Sequence, residues 1–204
     1  MKKEIRTFNF EVRAEQNEDH GHVLLGQPIV YEQKTNLGWY DEIISRGALD
    51  ETDLKDVRFL VNHNTDMIPL ARSRNNNANS TMQMEVSDDG MNIRVDLDVE
   101  NNAEAKSLYS AVERGDIDGM SFMFTVDADK WENIDSDHPI RSILKLGRVL
   151  EVSAVTFPAY EQTSIQARGL SEALDSAKDS LENVKAECRK VEAHKQKIKI
   201  LMSL

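Results

Sequence analysis

Cysteine is almost absent from this sequence: Cys188 stands alone among 204 residues. An internal disulfide needs two cysteines and a cysteine-rich zinc site needs several, so both are excluded. Proline is scarce at four residues, and after Gly169 the chain holds neither proline nor glycine. Long apolar runs are missing too, and none approaches the roughly 20 residues that span a bilayer. The opening "MKKEIRTFNFEV" has no apolar signal core. Together these read as a cytosolic chain with no membrane partner. Positive charge is also short, with 25 Lys and Arg against 36 Asp and Glu and a formal net charge of −11. Phosphate contacts require a concentrated positive surface, so this balance argues against a nucleic-acid partner. The one basic cluster, "CRKVEAHKQKIK", has acids nearby and no interleaved aromatics, and reads as a solvated helix face.

What is present fits an ordinary globular protein. Hydrophobic residues make up 40% and charged residues 30%, enough of each for one full domain and an appendage.

The first two-thirds read mainly as strands. "RTFNFEVRAE" alternates, with Phe8, Phe10 and Val12 on one face, and is expected to be one strand. "HVLLGQPIVYE" is a second, in which Gly26 and Pro28 mark a bulge or an edge. "GWYDEIISRGALDE" reads as irregular, with room for one helical turn, and "DVRFLVNHN" as a short strand. "TMQMEVSDDGMNIRVDLDV" is a hairpin turning at Asp88, Asp89 and Gly90. Residues 102–114 are a helix that Asn101 can cap and Gly115 stops. Two more strands follow, "MSFMFTVDADKWE" and "RSILKLGRVLEVSAVTF", separated by the acidic loop "NIDSDHP".

From Gly169 onward apolar residues recur at spacings of three and four. Leu170, Leu174, Ala177, Leu181, Val184, Cys188, Val191, Ile198 and Met202 fall on one heptad seam whose single charged member is Lys195. The stripe fits packing on the chain's own domain or pairing with another chain, and its narrowness favours a partner helix. The expected division is a β domain over 1–168 and a helical, coiled-coil tail over 169–204.

Three polar residues stand where strands should be apolar. In "GDIDGMSFMF" Ser121 shares a face with Met123 and Thr125, while Met120, Phe122 and Phe124 take the other. His63 ends the run "FLVNH", on the face of Phe59 and Val61. Glu151 lies within "LEVSAVTF", on the face of Ser153, Val155 and Phe157, and a buried carboxylate there needs a partner. A serine hydroxyl becomes a nucleophile when a base takes its proton, histidine suits that role, and a carboxylate orients the imidazole. Residue type alone leaves the matter open, because each of the three is also an ordinary structural residue in a strand.

"VNHN" at 61–64, "GDIDGMSFMF" at 115–124 and "LEVSAVTFPAY" at 150–160 resemble, in this order, three signature blocks of the tailed-phage prohead serine proteases. "GQPIVYE" and "EIISRGALDE" are similar as well, and the resemblance covers roughly residues 5–168. It implies a mainly β (α+β) fold: a compact antiparallel β-barrel with peripheral helices, distantly related to the herpesvirus assemblins, followed by the amphipathic helix. It also implies a serine endopeptidase of capsid maturation. Its substrates would be the scaffolding segment of the major capsid protein or a scaffold protein, and itself, inside the assembling prohead in the host cytoplasm.

By the same resemblance His63 is the general base, Ser121 the nucleophile and Glu151 the third member, with no cofactor and no metal. The oxyanion donors would be backbone amides, with the "FPAY" turn the place to look, and Gly119 and the turn before it would leave access for a substrate chain. Met123 departs from the family, which often has glycine between the two phenylalanines. The rival readings are a noncatalytic assembly protein on the same fold and a small β-barrel binding module.

Weaker candidates remain. His20 and His22 lack a third ligand for a metal, His138 reads as loop, and "RNNNANS" at 74–80 reads as a polar loop or cover. Arg72 and Arg74 could meet an acidic substrate stretch, and Cys188 reads as a small apolar contact on its seam.

Overall fold

A computed structural model describes residues 3–8, 12–17, 21–156 and 166–201. Its strands are β1 (Lys3–Phe8), β2 (Val12–Asn17), β3 (Gly21–Val30), β4 (Thr35–Asn36), β5 (Asp41–Ile44), β6 (Asp56–Val61), β7 (Ala71–Arg74), β8 (Met82–Ser87), β9 (Gly90–Leu97), β10 (Gly119–Glu132) and β11 (Ile140–Val155). Two helices accompany them, α1 (Ala103–Glu113) and α2 (Gln166–Leu201).

The strands form two sheets. One runs β1-β10-β11-β5-β4, with β6 also on β11 and β7 on β6; the other runs β2-β3-β9-β8. The mainly β, α+β class expected from the sequence holds, but among the described residues neither sheet closes into a barrel. The reason lies in β11. Along its length it takes two short parallel partners, β5 at Ile140–Ile143 and β6 at Glu151–Ala154. The sheet therefore forks and ends at β4 and β7, whereas a barrel needs one continuous ladder. The pairing is mixed rather than purely antiparallel for the same cause.

The expected single strand over 6–15 is also two. β1 pairs with β10 in the larger sheet, and β2 pairs with β3 in the smaller. Alternation says which residues share a face and nothing of which strand lies alongside. Phe10 lies outside the described residues. The Gly26–Pro28 bulge is present, as a register shift against β9 between Gly26 and Ile29.

One apolar cluster draws on both sheets, joining Leu24, Met91 and Val95 to Phe122, Phe124 and Val152. Helix α1 adds Leu108, Tyr109 and Val112 to it. The cap of α1 is Asn102, one residue later than expected, whose side chain accepts from the amides of Glu104 and Ala105 at 3.0 and 3.2 Å. Asn101 instead bonds Asp98. The helix stops as expected at Gly115, whose φ of +76° suits glycine. The amides of Gly115 and Asp116 return to the carbonyls of Val112 and Ala111 at 3.0 and 2.8 Å.

The heptad seam of α2 divides. Ala177 and Leu181 are buried against Tyr40 and Trp131, with Leu174 and Val184 beside them, so this half packs on its own domain. Further along, Val191 and Ile198 are 54% and 45% exposed. Cys188 is exposed too, not the apolar contact expected of it. Met202 lies outside the described residues, and the 168/169 division falls inside α2.

A cluster of buried charges fastens β1, β5, β11 and α2 together. Arg6 reaches both carboxylate oxygens of Glu42 and bonds Glu4 at 2.6 Å. Arg141 bonds Glu4 at 2.7 and 3.0 Å and Asp129 at 2.7 Å. Ser176 of α2 donates to Glu4 at 3.0 Å, and Ser180 donates to Asp129 at 2.9 Å. Burial pushes the Glu4 carboxyl up, but the charges of Arg6 and Arg141 and their hydrogen bonds outweigh it and hold Glu4 below its ordinary value.

Candidate active site

Two neighbouring strands and the turn that follows a third deliver the polar residues that the sequence singles out. β11 lies between β10 and β6. Ser121 on β10 stands opposite Ser153 on β11, and Met123 stands opposite Glu151. Directly paired residues share a face, so Ser121, Met123, Glu151 and Ser153 lie together, turned away from Phe122 and Val152 in the core.

His63 comes from the far side of β11, and not from a strand. β6 ends at Val61, and both Asn62 and His63 have left-handed backbone, with φ of 51° and 55°. Such conformations cost about 1–2 kcal/mol each for residues other than glycine, so the surroundings must hold them. The Asn62 amide bonds the Ala154 carbonyl at 2.9 Å, and the Asn62 side chain joins Thr156. The turn bends the chain back over β11 and brings the imidazole to the face that carries Ser121.

The result is a continuous chain of polar contacts. His63 Nε2 is 2.5 Å from Ser121 Oγ, and His63 Nδ1 is 2.5 Å from Glu151 Oε1. Ser121 Oγ is also 2.8 Å from the Arg6 carbonyl oxygen, to which it donates. The second oxygen of Glu151 accepts from Ser153 Oγ at 2.6 Å. Glu151 therefore has the partner its burial demands, and a histidine is part of the answer. Ser121 and Gly119 are both buried, while Asp116 and Asp118 of the turn before them are exposed; within the cluster His63, with 15% of its side chain exposed, is the member that meets solvent.

A groove of about 540 Å³ opens beside the His63 turn. Asn62, Asn64 and Met67 line one side, and Ser107, Leu108 and Ala111 of α1 line the other.

The other candidates do not join this cluster. His22 packs edge-on against Tyr109, His138 bonds Asp41 at 2.8 Å, and Arg72 bonds Asp56 at 2.7 and 3.0 Å. His20 and the "FPAY" segment lie outside the described residues. Among the described residues no three His, Cys, Asp or Glu side chains gather as a metal site requires. Arg74, the first residue of the polar 74–80 segment, is the last residue of β7. Ser153 joins the cluster as well, and its sequence signal is its place two residues after Glu151 on the same face of one strand.

No curated protein and no solved structure matches the chain. A family model described as Caudovirus prohead serine protease matches residues 8–179, which takes in His63, Ser121, Glu151 and the first turns of α2. The chain belongs to the caudovirus prohead serine protease family.

Proposed function

We propose that this serine peptidase is the maturation endopeptidase of a phage prohead, with Ser121 as nucleophile, His63 as general base and Glu151 as the group that orients His63. The observation that carries the reading is the 2.5 Å contact on each side of one imidazole, with Ser121 at Nε2 and Glu151 at Nδ1. In that arrangement Nδ1–H donates to the carboxylate, which leaves Nε2 free to accept the serine proton. As Oγ attacks the peptide carbonyl, the proton passes to Nε2, and the same proton then goes to the departing amine. Water then attacks the acyl carbonyl as Nε2 takes its proton, and that proton passes to Ser121 Oγ as the ester C–O bond breaks, releasing the new carboxyl group.

The substrates in this reading are the scaffolding segment of the major capsid protein or a separate scaffold protein, and the protease itself. The groove between α1 and the His63 turn is where a substrate chain would lie. Exposed Val191 and Ile198 continue the seam beyond the half of α2 that is docked, and they support self-association or pairing with a scaffold helix. The tail then begins functionally after Val184 rather than at 169. The distant kinship with the herpesvirus assemblins belongs to the same reading. A noncatalytic assembly protein is the competing one.

Ser121→Ala in cells that also express the phage coat protein separates the two. Loss of coat processing with the variant still folded is the expected result; processing at the wild-type level would remove the enzymatic reading.

A further inference from the structure

We infer that Ser153 is a positioning residue of the site, the clamp that holds His63 and Glu151 in one geometry. The inference rests on the triad reading above and adds to it a fourth side chain.

Ser153 exposes none of its surface, and a buried hydroxyl must find partners. It finds two, and both are members of the cluster. Its hydroxyl donates to Glu151 Oε2 at 2.6 Å, and its oxygen accepts the backbone N–H of His63 at 3.2 Å. With the contact between His63 Nδ1 and Glu151 Oε1, these bonds close a ring: His63 main chain, Ser153 hydroxyl, Glu151 carboxylate, His63 imidazole. The ring fixes the imidazole relative to its own backbone, at a residue whose left-handed φ otherwise favours relaxation.

The carboxylate needs such a clamp. One oxygen serves His63, and without a second bond the group can rotate and present either oxygen or neither. Ser153 occupies the other oxygen and fixes the rotation. Register adds to this: Ser153 stands directly opposite Ser121 across the β10–β11 ladder, so one strand position sets the nucleophile and the clamp together.

A fluorophosphonate, which reacts with an activated serine and releases fluoride, supplies the test as the rate of adduct formation on Ser121. Ser153→Ala is expected to slow labelling of the folded protein by roughly 10- to 100-fold, the size of a lost hydrogen bond to a charged group, along with a lower melting temperature because two buried partners lose a bond. A structural serine would lower stability and leave the labelling rate of the folded protein alone.

The decisive readout is the same substitution in a Glu151→Gln background. There Ser153→Ala should slow labelling by less than about twofold, because the carboxylate it clamps is gone. Equal losses in the two backgrounds, or none in the first, overturn the inference. Ser153→Cys, close in shape and a weaker donor, covers a Ser153→Ala protein that does not fold. A slower rate in the folded protein supports the clamp, and an unchanged rate overturns it. Wild-type protein that takes no label at Ser121 removes the triad reading itself, a different result from wild-type labelling that Ser153→Ala leaves intact.

Discussion

Ser121 Oγ lies 2.8 Å from the main-chain oxygen of Arg6, so the hydroxyl on β10 is tied to the edge strand β1 as well as to His63. A hydroxyl has one proton to give. While it points at the Arg6 carbonyl it is not on the line to His63; the reactive arrangement has the proton directed at Nε2. The strand that competes for this proton is held by its own side chain, because Arg6 is buried among Glu4, Glu42 and Tyr40.

Arg6→Met tests that anchoring. It leaves Glu42 and Glu4 buried with less compensating charge, and breaking such a cluster from one side costs about 3–5 kcal/mol. Denaturant unfolding should show a loss of that order, and a loss under about 1 kcal/mol would mean that β1 is held by its ladder to β10 alone.

Acid should act on the same cluster. The Glu4 carboxyl is held below its ordinary value of 4.5, so it contributes stability above that pH and loses it as pH falls through the folded-state value. Melting temperature measured from pH 6 down to pH 2.5 should therefore fall more steeply below about pH 4.5 for wild type than for Glu4→Gln. Parallel curves would contradict the assignment.

Docking of α2 gives a third test. Ala177 is fully buried beside Trp131 and Tyr40, and Trp131 donates to Ser180 at 3.0 Å. Ala177→Asp places a carboxylate there and should cost about 1–3 kcal/mol, with tryptophan emission moving to the red. Truncation after Val184 should leave both readouts near wild type.

The groove makes a fourth. Ala111→Trp fills the space between α1 and the His63 turn. Coat cleavage should slow through a higher KM, while a small fluorophosphonate labels Ser121 at the wild-type rate. An equal loss in both assays would place the effect on the chemistry rather than on substrate binding.

Some of this architecture was legible because its causes are local. Polar Ser121, His63 and Glu151 interrupt apolar strands, and helix α1 and the β8–β9 hairpin carry their start, stop and turn residues in the sequence. What was not legible depends on partners far apart in the chain. Nothing in "DEII" says that β5 pairs in parallel with β11, and nothing in "KEIRTF" says that Glu4 meets Arg141, 137 residues away. The left-handed turn at Asn62 and His63 defeats a strand reading, since alternation placed His63 beside Phe59. The seam of α2 shows which residues share a stripe, and tertiary packing alone decides that Ala177 is covered and Val191 is not.

The most direct measurement of the proposed chemistry is the site of fluorophosphonate attachment, mapped by mass spectrometry on wild type, His63→Ala and Ser121→Ala. A single adduct on Ser121 in wild type, slowed by about 10⁴-fold or more in His63→Ala and absent from Ser121→Ala, is the expected outcome. An adduct on Ser121 that forms equally fast without the His63 imidazole would contradict it.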